Sequence, residues 1–353
     1  MAKDIRIDSH KLIYHPCEVS KWLGGGVIYP IEIEVGLSGA CNHRCVFCAL
    51  DYMGYTPKFL DTNVILSNLK QLSQKGLKSV IFAGEGEPLL HKNAAYIFNE
   101  TKAYGIDVAL STNGVLLTKD ISDECLQSMT WIRFSIAAAT DKTYEKIQSI
   151  RKGDLQKVYR NLQDAVQIKR DKKLNVTLGG QLLLLEDNKS EVFLLAKNLK
   201  EIGLDYITIK PFVPHKYSNH LISVDYSESL EIESKVKELE TEEFKIYFRH
   251  QAIKNLNEEK TYDCCYALPF MTHISAAGDV FPCVAFDGIK EFLYGNLYSK
   301  SFVEIWESEH VSEIMNKFSG KFLKENCRKA CRLDEMNKYL FNLKYPGAHV
   351  NFI

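Results

Sequence analysis

Two hydrophobic periods alternate along most of the chain. Apolar runs typical of buried strands lie at Val27–Val35, Ser79–Ala83, Asp107–Ser111, Trp131–Ile136, Asn175–Leu185 and Tyr206–Lys210. Segments with helical spacing of apolar residues lie between them, at Asp61–Gln74, Asn93–Tyr104, Asp120–Ser128, Asp154–Lys169 and Ser190–Ile202. Strands and helices in strict succession predict right-handed βαβ crossovers and a parallel sheet.

Six strand–helix units are two fewer than a closed eight-fold barrel contains. The pattern therefore predicts an α/β fold, a partial (β/α)6 TIM-like barrel, with function at the C-terminal ends of its strands. The first strand–helix turn has no GxGxxG, and the chain has no GxxxxGK[ST]. The sequence thus lacks the fingerprints of nicotinamide and P-loop nucleotide sites.

The pattern changes after Lys210. A polar and aromatic loop is followed by a charged helix at Ser227–Glu240 and a possible seventh strand at Phe244–Phe248. Beyond a run rich in Asn, Glu and Lys, a hairpin pattern and a helix around Phe302–Phe318 indicate a small second unit. We expect three parts: an N-terminal extension (1–27), the barrel (28–250) and a small C-terminal domain (251–353).

Composition narrows the class of protein. Of the 353 residues, 46% are hydrophobic and 25% charged, and the net charge is −1. These values are ordinary for a globular enzyme, and such a charge does not attract nucleic acid or anionic lipid. No apolar run is long enough to span a bilayer, and the charged N-terminus lacks the apolar core of a signal peptide. We expect a cytoplasmic protein with neither nucleic acid nor membrane as a partner.

The ten cysteines are clustered. Eight fall into groups: Cys41, Cys45 and Cys48; Cys264, Cys265 and Cys283; Cys327 and Cys331. The two isolated ones, Cys17 and Cys125, are interpreted as ordinary buried or surface thiols. In a reducing compartment, clustered cysteines favour metal binding or catalysis over disulfides.

The first group has the spacing C-x3-C-x2-C and directly follows the first strand. Three thiolates on a short loop can hold three corners of a cubane iron–sulfur cluster. One iron then stays open to an external ligand, whereas electron-transfer clusters use four protein ligands. The alternative is a zinc knuckle with His43 as fourth ligand, which is cramped because His43 lies between Cys41 and Cys45.

This motif, with Phe47 before its last cysteine, resembles that of the radical S-adenosylmethionine (SAM) superfamily. The resemblance implies that the open iron binds the amino and carboxylate groups of SAM. Reductive cleavage of SAM then yields a 5′-deoxyadenosyl radical that abstracts a substrate hydrogen. It also implies a flavodoxin- or ferredoxin-type electron donor.

Further segments resemble other motifs of the same superfamily, and this resemblance implies contacts to SAM. The GEGEP segment resembles the family's GGEP, with either glutamate as the working one, and Ser-Thr-Asn-Gly matches its TNG turn. Ser135 on the fourth strand resembles a serine near the ribose and the carboxylate of SAM. Arg151 resembles the arginine that pairs with that carboxylate, and the loop residue Asn188 is a candidate for contact with the adenosine. The implied cofactor-binding residues are Phe47, Gly84, Glu85, Gly86, Glu87, Asn113, Ser135, Arg151 and Asn188.

The later cysteines have the spacing C-x12-G-x4-C followed by a C-x3-C pair. This resembles the auxiliary-cluster domain of the SPASM and twitch branches of the superfamily, in the shortened form with one cluster. The implied ligands are Cys265, Cys283, Cys327 and Cys331, with Cys264 as an alternative to Cys265. The cofactors would be two [4Fe–4S] clusters and SAM, and a structural zinc site with four thiolates is the alternative for this group.

The substrate is less defined. Polar and cationic residues on loops after the strands are candidates for contacting it: Tyr52, Tyr55, His215, Lys216, Tyr217, His220 and Arg249. We expect an oxidoreductase-type radical SAM enzyme that dehydrogenates or remodels a small polar molecule, such as a sugar, an aminocyclitol or a nucleotide-linked compound. The alternative is a maturase of a ribosomally made peptide, and a non-catalytic metal-binding scaffold is a third hypothesis. No catalytic acid or base is identified.

Overall fold

A computed structural model describes residues 9–149 and 152–352. One ten-stranded sheet runs through it in the order β10-β9-β8-β1-β2-β3-β4-β5-β6-β7. The strands are β1 Glu32–Val35, β2 Ser79–Phe82, β3 Asp107–Thr112, β4 Met129–Ser135, β5 Thr177–Leu184, β6 Tyr206–Pro211, β7 Lys245–Phe248, β8 Met271–Ile274, β9 Asp279–Phe281 and β10 Gly295–Asn296.

The described helices alternate with the barrel strands and then continue through the C-terminal part. They are α1 Pro16–Leu23, α2 Thr62–Gln74, α3 Ala94–Ala103, α4 Lys119–Cys125, α5 Asp141–Gln148, α6 Asp154–Asp171, α7 Val192–Ile202, α8 Ser229–Lys237, α9 His250–Asn255, α10 Phe302–Trp306, α11 Glu309–Lys317, α12 Gly320–Asn326 and α13 Asp334–Lys344.

Strands β1 to β7 pair in parallel, as the alternation of periods predicts, and the sheet stays open between β7 and β10. The predicted partial barrel is therefore confirmed, with seven strands in chain order instead of six. The hairpin of β8 and β9 is antiparallel, but β8 also pairs in parallel with β1. The C-terminal region thus extends the barrel sheet at its first edge.

Local sequence explains where several elements begin. The Asp61 side chain accepts hydrogen bonds from the amides of Asn63 and Val64, so α2 starts there. The single helix expected at Phe302–Phe318 is two helices, because Ser308 stands in an extended conformation at the start of the second one. The short helix α5 was not predicted from the sequence.

Strand β4 shows how the barrel divides its two faces. Ile132 and Phe134 are fully buried in the core against the surrounding helices, whereas Trp131, Arg133 and Ser135 alternate with them and face the barrel interior. A polar interior beside an apolar outer layer leaves room for a site inside the barrel.

No helix in the part of the chain described by the structure combines the length and the apolar character that crossing a bilayer requires.

Candidate active site

One cavity of about 750 Å³ occupies the barrel interior. The inner faces of β3 to β6 form its wall. Cys41, Cys45 and Cys48 border it at one place, and Cys283 and Cys331 border it at another. Both cysteine groups of the sequence therefore border the same cavity.

The first cysteine group lies on the loop between β1 and α2, and backbone hydrogen bonds fix this loop. The amide of Gly39 donates to the Lys58 carbonyl (2.8 Å), and that of Glu87 donates to the Ala40 carbonyl (2.9 Å). On the other side, the amide of Val46 donates to the Ile147 carbonyl at the end of α5 (2.9 Å). The loop is held by a bond within itself and by two neighbouring segments, the one after β2 and the end of α5.

Burial keeps these thiols protonated in the absence of metal. It raises the pKa of Cys41 to about 12, with a further contribution from the Glu87 carboxylate, and raises the pKa of Cys45 well above its usual value. Iron binding would have to displace those protons, since only the thiolate is a ligand.

The sulfur atoms are spread more widely than in a tetrahedral zinc site. Among the described residues, only Glu85, His273 and Asp287 bring three His, Cys, Asp or Glu ligand atoms within 4.8 Å of one another. Zn–S bonds of about 2.3 Å would place two cysteine sulfurs of a tetrahedral site about 3.8 Å apart. Among the described residues, neither cysteine group brings three sulfur atoms within 4.8 Å of one another, so neither has the spacing of a preformed tetrahedral zinc site.

The structure directs His43 away from the cysteines. Its Nδ1 lies 3.0 Å from Gln148 Nε2, and its Nε2 lies 3.7 Å from Asp154 Oδ2. Burial lowers the pKa of His43 to about 4, against the opposing effect of Asp154. His43 is thus a neutral residue that braces the loop, and it does not supply a fourth ligand to a zinc knuckle.

Glu87 joins the GEGEP segment to the turn after β3. Its Oε1 accepts from Thr112 Oγ1 (2.6 Å) and its Oε2 accepts from the Asn113 amide (2.9 Å). Asn113 Nδ2 in turn donates to Asn42 Oδ1 on the cysteine loop (2.7 Å). These contacts hold the second and third strand ends against the cysteine loop.

Glu85 points the other way, toward the C-terminal region. Its Oε1 accepts from the Ala276 amide (2.6 Å), and it lies beside the buried pair of His273 and Asp287, whose Nε2 and Oδ2 are 2.9 Å apart. Burial opposes protonation of His273, but Asp287, Glu34 and Glu85 outweigh it and raise the pKa of His273 to about 9. The protonated imidazole supplies the positive charge among these acids.

The second cysteine group converges around Cys265. The thiols of Cys283, Cys327 and Cys331 are all near enough to raise its pKa, in addition to burial. Asn337 Nδ2 donates to Cys265 Sγ (3.6 Å). Cys264 instead packs into a separate apolar cluster with the N-terminal helix α1 and with α13. The structure thus groups Cys265 with the other three.

The remaining residues expected at the cofactor differ in their position. Phe47, Ser135 and the segment 84–87 line the cavity. Asn188 does not: it is fully buried, and its amide donates to the carbonyls of Ala137 and Leu183, so its side chain ties the ends of β4 and β5 together. Arg151 lies outside the described residues.

Two of the residues expected at the substrate, Tyr55 and Arg249, line the cavity. The others do not and have structural contacts. Tyr52 stacks on His215 with centroids 5.5 Å apart and donates to the Asp287 carbonyl. The rest are Lys216, which donates to Asn326, Tyr217, which packs against Tyr52, and His220, which faces Asp51.

Four basic residues of the cavity were not predicted from the sequence: Arg133, Lys210, Arg328 and Arg332. A signal existed for the two strand residues, because a charged side chain at an inward position of an apolar strand is unusual. No such signal marked Arg328 and Arg332, which reach the cavity from the cysteine-rich segment.

Comparison with known families supports both parts of the chain. The model of the radical SAM superfamily matches residues 35–192, and that of the SPASM iron–sulfur cluster-binding domain matches residues 264–332.

Individual relatives are distant. The tungsten-containing aldehyde ferredoxin oxidoreductase cofactor-modifying protein of Pyrococcus furiosus is 23% identical over 296 residues, 77% of this chain and 80% of that protein. The crystal structure of Streptococcus suis SuiB bound to precursor peptide SuiA has a TM-score of 0.68 at 16% identity and covers 95% of this chain and 78% of that chain. Native anSMEcpe with bound AdoMet has a TM-score of 0.60 at 14% identity, over 89% and 97% of the two chains. The structural likeness concerns the fold.

Gly86→Ala should impair cluster loading. A Cβ at this position would collide with the backbone carbonyl oxygens of Ser38 and Ala40, so the cysteine loop would have to shift. We expect less iron and sulfide per chain after anaerobic reconstitution, and weaker visible absorption of the cluster. Gly24→Ala is the matched control, since its Cβ would meet only ordinary contacts. Equal loading of the two variants would contradict this account.

The His273–Asp287 pair should make stability depend on pH. Since the folded-state pKa of about 9 exceeds the ordinary 6.5, the stabilisation is complete below pH 6.5 and is lost as the pH rises through 9. At ~1.4 kcal/mol per pKa unit, the free energy of unfolding should fall by up to about 3 kcal/mol. The double variant His273→Gln/Asp287→Asn should have a flatter profile between pH 7 and 9.5 in denaturant titrations. Parallel profiles would argue against a protonated His273.

Proposed function

The chain belongs to the radical SAM superfamily and carries a SPASM-type iron–sulfur cluster-binding domain; from this premise we propose that it is a substrate-dehydrogenating or substrate-remodelling enzyme acting inside the barrel cavity. Its cofactors are [4Fe–4S] clusters and SAM. When bound, they supply the one-electron chemistry that cleaves SAM and removes a hydrogen atom from a substrate.

We propose separate roles for the two cysteine groups. Cys41, Cys45 and Cys48 would hold the cluster whose open iron binds SAM. The four later ligands would hold an auxiliary cluster, which suits electron transfer because protein thiolates fill all its corners: Cys265, Cys283, Cys327 and Cys331. The backbone of residues 84–87 and the Ser135 side chain would contact SAM. Both carboxylate oxygens of Glu87 already accept from protein donors, so Glu87 would act as a brace. Glu85 accepts from the Ala276 amide through Oε1 only, and its Oε2 has no hydrogen-bond partner among the described residues.

The observation that carries this proposal is the shared cavity. Thiols of both groups border it, so a substrate between them would be near both clusters. Loss of a hydrogen atom leaves a substrate radical that still has to lose one electron and one proton to become a dehydrogenated product. An electron acceptor beside the substrate meets the first requirement, and a flavodoxin- or ferredoxin-type protein would supply the electron for SAM cleavage.

A small polar molecule is the substrate class that we favour. A cavity of about 750 Å³ falls within the ~300–1,000 Å³ typical of small-molecule sites, and SAM must share it. The inward strand residues Gln181 and Thr208, together with Arg133, give it a polar wall.

A modified peptide is the second candidate, and the SPASM domain with the fold of SuiB favours it. That structure contains a precursor peptide, and the likeness covers 95% of this chain. A single side chain of a peptide could reach the cavity while the rest of the peptide stays outside.

Incubation of the enzyme with fractions of a cell extract distinguishes the small-molecule substrate from the peptide substrate. The reconstituted enzyme is incubated anaerobically with SAM, dithionite and either the fraction below about 1 kDa or the peptide fraction above it. We expect the small-molecule fraction to increase 5′-deoxyadenosine formation above the level with SAM alone. An increase confined to the larger fraction would favour the peptide instead.

Cysteine variants test the division of roles. Cys45→Ala should abolish 5′-deoxyadenosine formation, because the SAM-binding cluster loses a ligand. Cys283→Ala should retain part of this cleavage but convert no substrate from the activating fraction. The exposed Cys17→Ala is the control and should match the wild type. Full substrate conversion by the Cys283 variant would refute an essential auxiliary cluster.

A further inference from the structure

The cavity contains more positive charge than its acidic residues neutralise. Six described basic residues line it: Lys11, Arg133, Lys210, Arg249, Arg328 and Arg332. Its acidic residues are Glu34, Glu85 and Glu87. Glu87 accepts from Thr112 and Asn113, Glu85 lies beside the protonated His273, and Glu34 pairs with Arg332 at 2.7 Å. Glu34 and Glu32 are near enough to attract Arg133 and Arg332. No carboxylate of the described residues is among the groups that act most strongly on Lys210 or Arg328.

Lys210 is the clearest case. It lies on the inner face of β6, and none of the described residues forms a hydrogen bond or ion pair with its ammonium. Burial and the repulsion of four nearby guanidinium groups lower the pKa of Lys210 well below its usual value: Arg133, Arg249, Arg328 and Arg332. Such an arrangement is unfavourable in the free protein, because buried charges normally have a counter-charge.

Two of these arginines also have unused donors. Arg133 donates to Ser111 Oγ (3.3 Å) and Arg328 donates to the Val213 carbonyl (2.8 Å). The Nε of each is buried without a partner. Planar guanidinium groups with free donors are suited to the oxygen atoms of a carboxylate or phosphate.

This set lies apart from the segments expected at SAM. Arg133 is two residues before Ser135 on the same face of β4, about 7 Å deeper in the barrel at ~3.3 Å per residue. Lys210 is on β6, four strands from β2, after which the segment 84–87 follows. Arg328 reaches the cavity from between Cys327 and Cys331, on the auxiliary side.

We propose that Arg133, Lys210 and Arg328 form a binding site for a negatively charged group of the substrate, a carboxylate or a phosphate. The site would orient the substrate between the two cysteine groups. The negatively charged group of the substrate would supply the counter-charge for these basic residues. This inference rests on the proposed function, since it assigns the chemical class of the molecule that the enzyme modifies.

Calorimetric titration of the reconstituted holoprotein with inorganic phosphate and with succinate tests the site. Saturating SAM is present, so that the cofactor's own carboxylate site is filled. We expect saturable binding of at least one anion, and the tighter one identifies the source of the charge. Lys210→Met should weaken it by about 10- to 100-fold, the range of a lost charge-assisted hydrogen bond, and Lys210→Arg should retain it. The exposed Lys197→Met on α7 is the control.

Stability gives a second readout that a structural lysine would not produce. Ligand-free Lys210→Met should be as stable as the wild type or more stable in denaturant titrations, because the variant removes a repelled charge. Failure of both anions to bind, binding unaffected by Lys210→Met, competition of the anion with SAM, or a destabilised Lys210→Met would overturn the inference.

The same samples distinguish this inference from the proposed function. If the wild type forms no 5′-deoxyadenosine from SAM, the proposed function fails whatever the anions do. If it forms 5′-deoxyadenosine but binds neither anion, only the anion site is refuted.

Discussion

The parallel pairing of β8 with β1 is the contact on which the shared cavity depends. It places His273 opposite Glu34 in register, and Arg332 then reaches Glu34 from the cysteine-rich segment. Glu34 and His273 are buried, whereas Arg332 reaches Glu34 from an exposed position. Removal of one of these charges would leave a buried partner unpaired in a low-dielectric environment. Glu85, which follows β2, also contacts this junction, because its carboxylate accepts a hydrogen bond from the Ala276 amide. The two cysteine groups therefore keep a fixed relation across one cavity.

The barrel interior serves a different purpose from its outer layer. Outward residues such as Ile132 and Phe134 provide the apolar packing that stabilises the fold, which leaves the inward positions free to be polar. Lys210 and Arg133 occupy such inward positions and line the cavity. The packing on one face of each strand thus allows unfavourable charges on the other.

Much of the fold could be predicted because its information is local. Apolar runs located the barrel strands β1 to β7, and the helical spacing from Asp61 onward located the start of α2 within a residue. Helix α5 escaped detection because its short, charged sequence has few apolar positions; tertiary contacts with the cysteine loop hold it. The role of His43 and the position of Asn188 also depended on partners far along the chain, Gln148 and Ala137, which no spacing predicts.

The sequence by itself determined the class of chemistry. Cysteine spacing, strand context and the GEGEP and TNG turns indicated the superfamily and its cofactors. They could do so because ligands on one loop form a short-range pattern. Only the tertiary structure decided which thiol joins the later group, since Cys264 and Cys265 are adjacent and differ only in the side to which the backbone directs them. It likewise decided that Arg328 shares a cavity with Lys210. Charges from distant segments meet only when the sheet brings them together, and their summed field is a property of the folded chain.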